Sequence, residues 1–215
     1  MKIGAKHRKK FKGFCSSAEI IMMFVYMKCR FSLSYRDLEE LMRMRGASID
    51  HATLQRWVKK FVCIIDKTVR KRKRPVGSSW RMDETYIRLN GKWVYLYRAV
   101  DKYGDTIDFL LRAKRDKVAA KAFFTKAIKQ HGRPEKVTVD KSGSNKAALK
   151  AINEPLTKDQ EIEIRQVKYL NNIVEQDHRF IKKRTRPMLG FKNFYSAAAT
   201  LAGIENIRMI QKGQT

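Results

Sequence analysis

Apolar residues recur at helical spacing in the N-terminal part of the chain and alternate with polar ones in its middle. From Ser17 to Arg30 the pattern is helical, with Ile20, Ile21, Phe24 and Met27 on one stripe. Ser34 then opens a second helix, with Asp37 three residues on in capping-box spacing. Leu38, Leu41 and Met42 supply its apolar face, and Gly46 stops it. Asp50 can cap a third helix through the N–H groups of Ala52 or Thr53. Within that helix Leu54, Trp57, Val58 and Phe61 repeat at i, i+3, i+4 and i+7 and face inward. His51, Thr53, Gln55, Arg56, Lys59 and Lys60 are left outside.

Trp80 to Leu89 alternates and is rich in strand formers, and Asn90-Gly91 is a two-residue hairpin turn. Lys92 to Val100 is a second strand, Lys102-Tyr103-Gly104 a turn, and Thr106 to Leu111 a third strand. Lys117 to Gln130 reads as an amphipathic helix built on Val118, Ala122, Phe123, Ala127 and Ile128. A strand at Lys136 to Val139, a helix near Asn145 to Ile152, a strand around Ile162 to Val167 and a long helix from about Asn172 to Lys183 follow. Three antiparallel strands, a helix, then alternating strands and helices is the element order of a ribonuclease H-like fold. The expected class is therefore α/β: a mixed five-stranded sheet with helices, preceded by a small all-α helix-turn-helix domain.

Charge changes the picture more than composition does. Of 215 residues, 43% are hydrophobic, enough to bury a core, but 48 Lys and Arg against 21 Asp and Glu give a net charge of +27. Such an excess repels itself unless a polyanion neutralises it, which points to nucleic acid. No lipid-spanning apolar stretch argues for a membrane, the longest run being Ile20 to Met27. Six basic residues and no acid in residues 1–12 read as a mobile basic arm for phosphates or as a solubilising tail. Lys67 to Arg74 packs six basic residues into eight before Pro75 and Gly77-Ser78-Ser79, the mark of a linker. The expected organisation is an arm at 1–12, a helix-turn-helix domain at 13–66, a linker at 67–79, a catalytic core at 80–190 and a C-terminal helix on that core at 191–215. Cys15, Cys29 and Cys63 have no paired spacing, so a disulfide framework and a zinc site are both disfavoured, and a cytosolic protein with reduced thiols is expected.

Two short helices about a glycine-containing turn, the second basic on its outer side, fit a helix-turn-helix, with Thr53, Gln55 and Arg56 placed to reach base edges and Lys59 beside them. An ordinary three-helix bundle with a solvated face has the same pattern.

Three carboxylates stand out by position. Asp83 lies inside the first strand, where a charge is costly unless paired or metal-bound, and its neighbour Glu84 points to the opposite face. Asp140 ends the strand at Val137 to Val139 and leads through Lys141-Ser142 into a helix, where open α/β sheets place ligands. If the first and fourth strands are neighbours, the two aspartates converge. On the last long helix Glu175, His178, Arg179 and Lys182 share one side, with Ile173, Val174, Phe180 and Ile181 on the other. Lys182 sits about 10 Å beyond Glu175 along the axis, a phosphate-to-phosphate reach. Oxygen ligands of this kind suit Mg²⁺, and two such ions drive in-line phosphoryl displacement. Asp101, Asp105 and Asp108, by contrast, read as surface salt-bridge acids. His178 is open between contacting the scissile phosphate, shuttling a proton and a structural role.

Taken together, Leu33 to Leu41, Asp50-His51-Ala52-Thr53, Arg56-Trp57-Val58, Met82-Asp83-Glu84-Thr85-Tyr86, Gly91 to Asp101, Asp140-Lys141-Ser142, Asn171 to His178 and Leu189-Gly190-Phe191-Lys192 resemble bacterial DDE transposases of the insertion sequence six family. The 34 residues between Asp140 and Glu175 match that group's spacer, and Lys182 falls where the family has a basic residue. The resemblance implies a retroviral integrase-type core with Asp83, Asp140 and Glu175 as catalytic metal ligands for two Mg²⁺ ions, or Mn²⁺ in their place, and no small-molecule cofactor. It implies 3′-end cleavage at terminal inverted repeats by water and transfer of the 3′-OH into target DNA, by a homodimer or higher oligomer in the bacterial cytosol at the nucleoid. Lys141, His178, Arg179 and Lys182 join Thr53, Gln55, Arg56 and Lys59 as expected DNA contacts. A catalytically inactive DNA-binding remnant or repressor is the alternative, and a structure-specific nuclease of the same fold a third.

Overall fold

The computed structural model describes residues 5–141, 143–167 and 172–215. The expectations for residues 1–4 of the basic arm, for Ser142 and for Asn171 lie outside them. The described part of the arm is a short helix, α1 (Ala5–Arg8), and a 3₁₀ turn at Lys9–Phe11. Phe11 stacks on Phe61 with ring centroids 4.5 Å apart, which seats the arm's end on the bundle.

Local chemistry sets the starts of the next three helices. Ser17 accepts from the Ile20 N–H at the head of α2 (Ala18–Arg30). Ser34 and Asp37 close both halves of a capping box on α3 (Tyr35–Met44). Asp50 accepts from both Ala52 and Thr53 at the head of α4 (His51–Arg72). The buried face of α2 is turned from the expected one: Ile20 is partly exposed, and Ile21, Phe24, Val25 and Cys29 line the core. Another helix, α8 (Phe194–Gln211), presses there. Gly203 makes that approach possible, because a Cβ at this position would lie 2.3 Å from the Cys29 sulfur.

Helix α4 runs 22 residues, about 33 Å, and passes straight through the expected linker as far as Arg72. Two members of the basic run are received by the body of the protein there. Arg70 donates to Asp66 at 2.8 Å and to Asp108 at 3.0 Å, and Lys73 donates to the Ile107 carbonyl. Asp108 also takes Lys126 at 3.0 Å, and Asp101 accepts from the N–H groups of Gly77, Tyr103 and Asp105. Neither is the surface salt-bridge acid expected: both are buried, Asp108 in ion pairs and Asp101 capping backbone N–H groups.

The sheet comprises β1 (Ser79–Leu89), β2 (Lys92–Asp101), β3 (Thr106–Arg112), β4 (Lys136–Val139) and β5 (Glu163–Gln166) in the order β3-β2-β1-β4-β5. The first three strands are antiparallel, and β4 and β5 run parallel to β1. This is the expected ribonuclease H-like arrangement. The hairpin turn has positive φ at both Asn90 and Gly91, as a type I′ turn requires. α5 (Lys117–His131) and α6 (Gly143–Asn153) cover one face, setting Phe123 and Leu149 over Trp80, Met82 and Tyr97. α5 is rotated from the expected wheel: Val118 is 70% exposed, and Ala119, Ala120, Phe124 and Ala127 join Phe123 inside. Small alanines let the helix sit close while two adjacent phenylalanines fill the space beneath it.

On the other face, α7 (Asn172–Thr185) and α8 pack over Ile87, Leu96 and Phe109. Helix α8 belongs to two cores, with Ile207 in the N-terminal bundle and Leu201 and Ile204 over the sheet. At its centre Arg98 of β2, 0% exposed, pairs with Glu205 through Nε and Nη2 and with Asp177 of α7 at 3.3 Å. Arg208 at 3.1 Å and Lys212 complete the shell of Asp177. Although burial opposes it, Arg98 and then Lys212 hold the Asp177 carboxyl below the usual carboxylate range.

Removing one member of a buried ionic set strands the others. Arg98→Met is therefore expected to cost about 3–5 kcal/mol in chemical denaturation; a loss under about 1 kcal/mol would count against this network as the anchor of α7.

Candidate active site

β4 pairs with β1 in parallel from Ser79↔Lys136 to Arg81↔Thr138. Continuing that register two residues puts Asp83 level with Asp140, just past the end of β4. The expected convergence of the aspartates therefore occurs. Glu84 joins them: one oxygen from each of Asp83, Glu84 and Asp140 lies within 4.8 Å of the others. Glu84 does point to the opposite face of β1 from Asp83, but Asp140 has left its strand and lies within reach of both. A cation bridges the acids, since Arg115, in the loop before α5, donates to Asp140 at 2.9 Å and to Glu84 at 3.4 Å. Asn145, fully buried in the first turn of α6, donates to Asp140 at 3.3 Å.

Burial, reinforced by the negative charges of Glu84, Asp140 and Glu175 and opposed by a hydrogen bond from the Glu84 backbone, pushes the Asp83 carboxyl up to about 7. Burial likewise raises Glu84, with Asp140 adding to it and Arg115 opposing it. Carboxylates crowded so closely favour a bound cation, and an all-oxygen donor set fits a hard divalent ion. Glu175 is exposed on α7 and lies outside the group of three, although its charge is felt at Asp83. The inner side of α7 is Val174, Asp177, His178 and Ile181, turned from the expected wheel because Asp177 is drawn onto Arg98.

Residues 77–214 match the family model described as a DDE domain. Over 204 residues the chain is 39% identical to the transposase for insertion sequence-like element IS431mec of Staphylococcus aureus strain Mu50, covering 94% of this chain and 88% of the relative. The identity is also 39%, with the same coverage, to the Staphylococcus aureus transposase for insertion sequence element IS257 in transposon Tn4003. This chain belongs to the DDE transposases of the insertion sequence six family. Among solved structures it is similar to the magnesium complex of the HTLV-2 integrase catalytic core, with 16% identity, a TM-score of 0.48, and coverage of 62% of this chain and 86% of that one.

The transposase is thus a DNA-cleaving and strand-transferring enzyme, and its family depends on divalent metal. Its expected DNA contacts fall into two groups. Gln55, Arg56 and Lys59 lie on the outer side of α4, where Arg56 donates to the Thr53 hydroxyl at 2.8 Å. Glu39 of α3 accepts from the His51 N–H at 3.1 Å and faces its Nδ1 at 2.8 Å, locking the angle between the two helices. Near the carboxylates Lys141 and Arg179 are exposed and Lys182 is half-buried. His178 is the exception. It is only 5% exposed, with Nδ1 3.6 Å from an Asp83 oxygen, so it faces the inside of the site and not a passing phosphate. No helix among the described residues is long and apolar enough to cross a membrane. Cys15, Cys29 and Cys63 are all free.

Glu84, Arg115 and Asn145 escaped the sequence reading. For Arg115 a signal existed: β3 runs parallel to β1, so the loop after β3 lies at the same end of the sheet as Asp140.

Burial, then the charges of Arg98 and Lys182, push the His178 ring down to about 3. Its ring resonances should show no titration between pH 8 and 5. An unfolded histidine protonates near 6.5, so this group's contribution to stability is present above that pH and lost as pH falls toward 3. A midpoint near 6 in an NMR titration would reject the buried placement. Arg115→Ala should lower the melting temperature of the metal-free protein, and millimolar Mg²⁺ should raise it more in the variant than in the wild type. An equal Mg²⁺ response would mean that Arg115 does not offset the acid cluster.

Proposed function

We propose that Asp83, Asp140 and Glu175 are the catalytic carboxylates of this transposase and hold two Mg²⁺ ions, with Mn²⁺ able to replace them. The observation that carries this is the meeting of Asp83 and Asp140 in one parallel register, with the charge of Glu175 felt at Asp83. When bound, the ions activate the attacking oxygen and stabilise the leaving one during in-line displacement at phosphorus. The chain's own residues do the rest. Asp83 presents its oxygen from β1 and Asp140 from just past the end of β4, and Asn145 orients Asp140. Neutral His178 fills the space beside Asp83 and keeps solvent from beneath it. Lys141, Arg179 and Lys182 take phosphates along the strand being cut, while Thr53, Gln55, Arg56 and Lys59 read the element end from α4.

The substrates on this reading are terminal inverted repeats and target DNA in the bacterial cytosol, at the nucleoid. Water cuts at the 3′ end, and the freed 3′-OH then attacks the target strand, in a homodimer or larger assembly. All three acids are present in the sequence, which favours an active enzyme over a DNA-binding remnant.

Asp140→Asn is expected to reduce strand transfer with a labelled terminal repeat and Mg²⁺ by at least about 100-fold, the scale for a lost transition-state charge contact, while binding of the repeat persists. Retained strand transfer would refute the metal-ligand role of Asp140, and specific binding without any product from the wild type would favour the remnant.

A further inference from the structure

β4 covers the outer edge of β1 only as far as Arg81, and beyond it, among the described residues, Leu89 alone is bridged, to Phe191. Between these points the edge opens into a cleft of about 570 Å³ between the tip of the β1–β2 hairpin and the end of α7. Its lining combines features that a folded surface ordinarily avoids. Tyr86 and Trp93 are 50% and 57% exposed and meet edge to face at 6.2 Å. The Arg88 guanidinium lies over the Trp93 ring at 5.9 Å. Lys182 and Arg186 line the opposite wall. At the rim Leu189 is 90% exposed, and its φ of 55° places a branched apolar residue in the left-handed region. An exposed leucine held in a disfavoured conformation beside two open aromatic rings marks a surface built for contact. The three cations around it select a partner with aromatic faces and negative charge.

Position narrows the partner further. Tyr86 lies three residues along β1 from Asp83, and Lys182 lies seven residues along α7 from Glu175, about 10 Å down its axis. We propose that this cleft receives one unpaired base of the DNA end beside the phosphate being cut. The base stacks on Trp93 and Tyr86, Arg88, Lys182 and Arg186 hold its flanking phosphates, and Leu189 wedges into the gap the base leaves. Aromatic stacking accepts any base, because every base has a π-face, and apolar wedges are a general means of unstacking a duplex step. The inference rests on the DNA transposase reading above and adds to it a site for the displaced base.

A base that is already unpaired spares the protein the unpairing cost. Two fluorescently labelled duplexes of the same sequence, one fully paired and one mismatched at its last base pairs, are titrated with the full chain at one fixed salt concentration. The expected result is tighter binding of the mismatched end by about ten-fold, the scale of one base–aromatic stack. In Trp93→Ala that ratio should fall to near one, and Trp93→Phe should keep most of it. A 2-aminopurine at the mismatched position should be quenched on binding to the wild type and not to Trp93→Ala. The inference is overturned by a ratio near one in the wild type, or by a ratio and quenching unchanged in Trp93→Ala. Binding of neither duplex would overturn the DNA reading itself, and this inference with it. Because Trp93 is largely exposed, its replacement should leave the melting curve in place, which separates loss of the stack from loss of the fold.

Discussion

One buried guanidinium holds the two C-terminal helices of this chain against its sheet. Arg98 lies directly across the β1–β2 ladder from Asp83, with no solvent contact, and its charge is matched by Glu205 from α8 and Asp177 from α7. An unmatched charge at that depth costs several kcal/mol, so both helices must present their acids inward. That requirement fixes the rotation of α7. With Asp177 turned toward Arg98, His178 comes to lie against Asp83, and Glu175 is left exposed on the outer side of α7.

The same economy of charge runs through the active site. The acids gather at one end of the sheet, and the cation that pairs with Glu84 and Asp140 comes from another element, Arg115 before α5. The large positive excess is therefore unevenly used. Arg70, Arg98, Arg208 and Lys212 are spent on buried acids, while Lys59, Lys141 and Arg179 stay on the surface facing solvent. Interior ion pairs tie the N-terminal bundle and the C-terminal helix to the core, and surface charge remains for a polyanion. Helix α4 joins the two roles, with exposed Arg56 and Lys59 near its start and an end docked on Asp108.

Features decided within a few residues were legible in the sequence. The Ser34–Asp37 box, the Asp50 cap and the Asn90-Gly91 turn each depend on neighbours in the chain, and each is present. The two aspartates were legible because a charge within or at the end of a strand needs a reason, and the adjacency of β1 and β4 supplies one. The faces of α5 and α7 were misjudged because a helical wheel ranks residues by hydrophobicity. It cannot show that Asp177 would be drawn inward by an arginine 79 positions away. Glu84 was lost by a correct rule: alternation does put it on the other face, but Asp140 lies beyond its strand, where the two faces meet. The basic run at 67–74 looked like a linker for want of any local sign that Asp66, Asp108 and the Ile107 carbonyl would receive it.

What remains decisive is which carboxylates share the metal. A structure of the full chain with Mn²⁺ and a DNA end, with the ions located by anomalous scattering, addresses this directly. Metal should be bound by oxygens of Asp83, Asp140 and Glu175, with the Arg98–Asp177 pair intact behind them. Metal held by Asp83, Glu84 and Asp140, with Glu175 left in solvent, would contradict it.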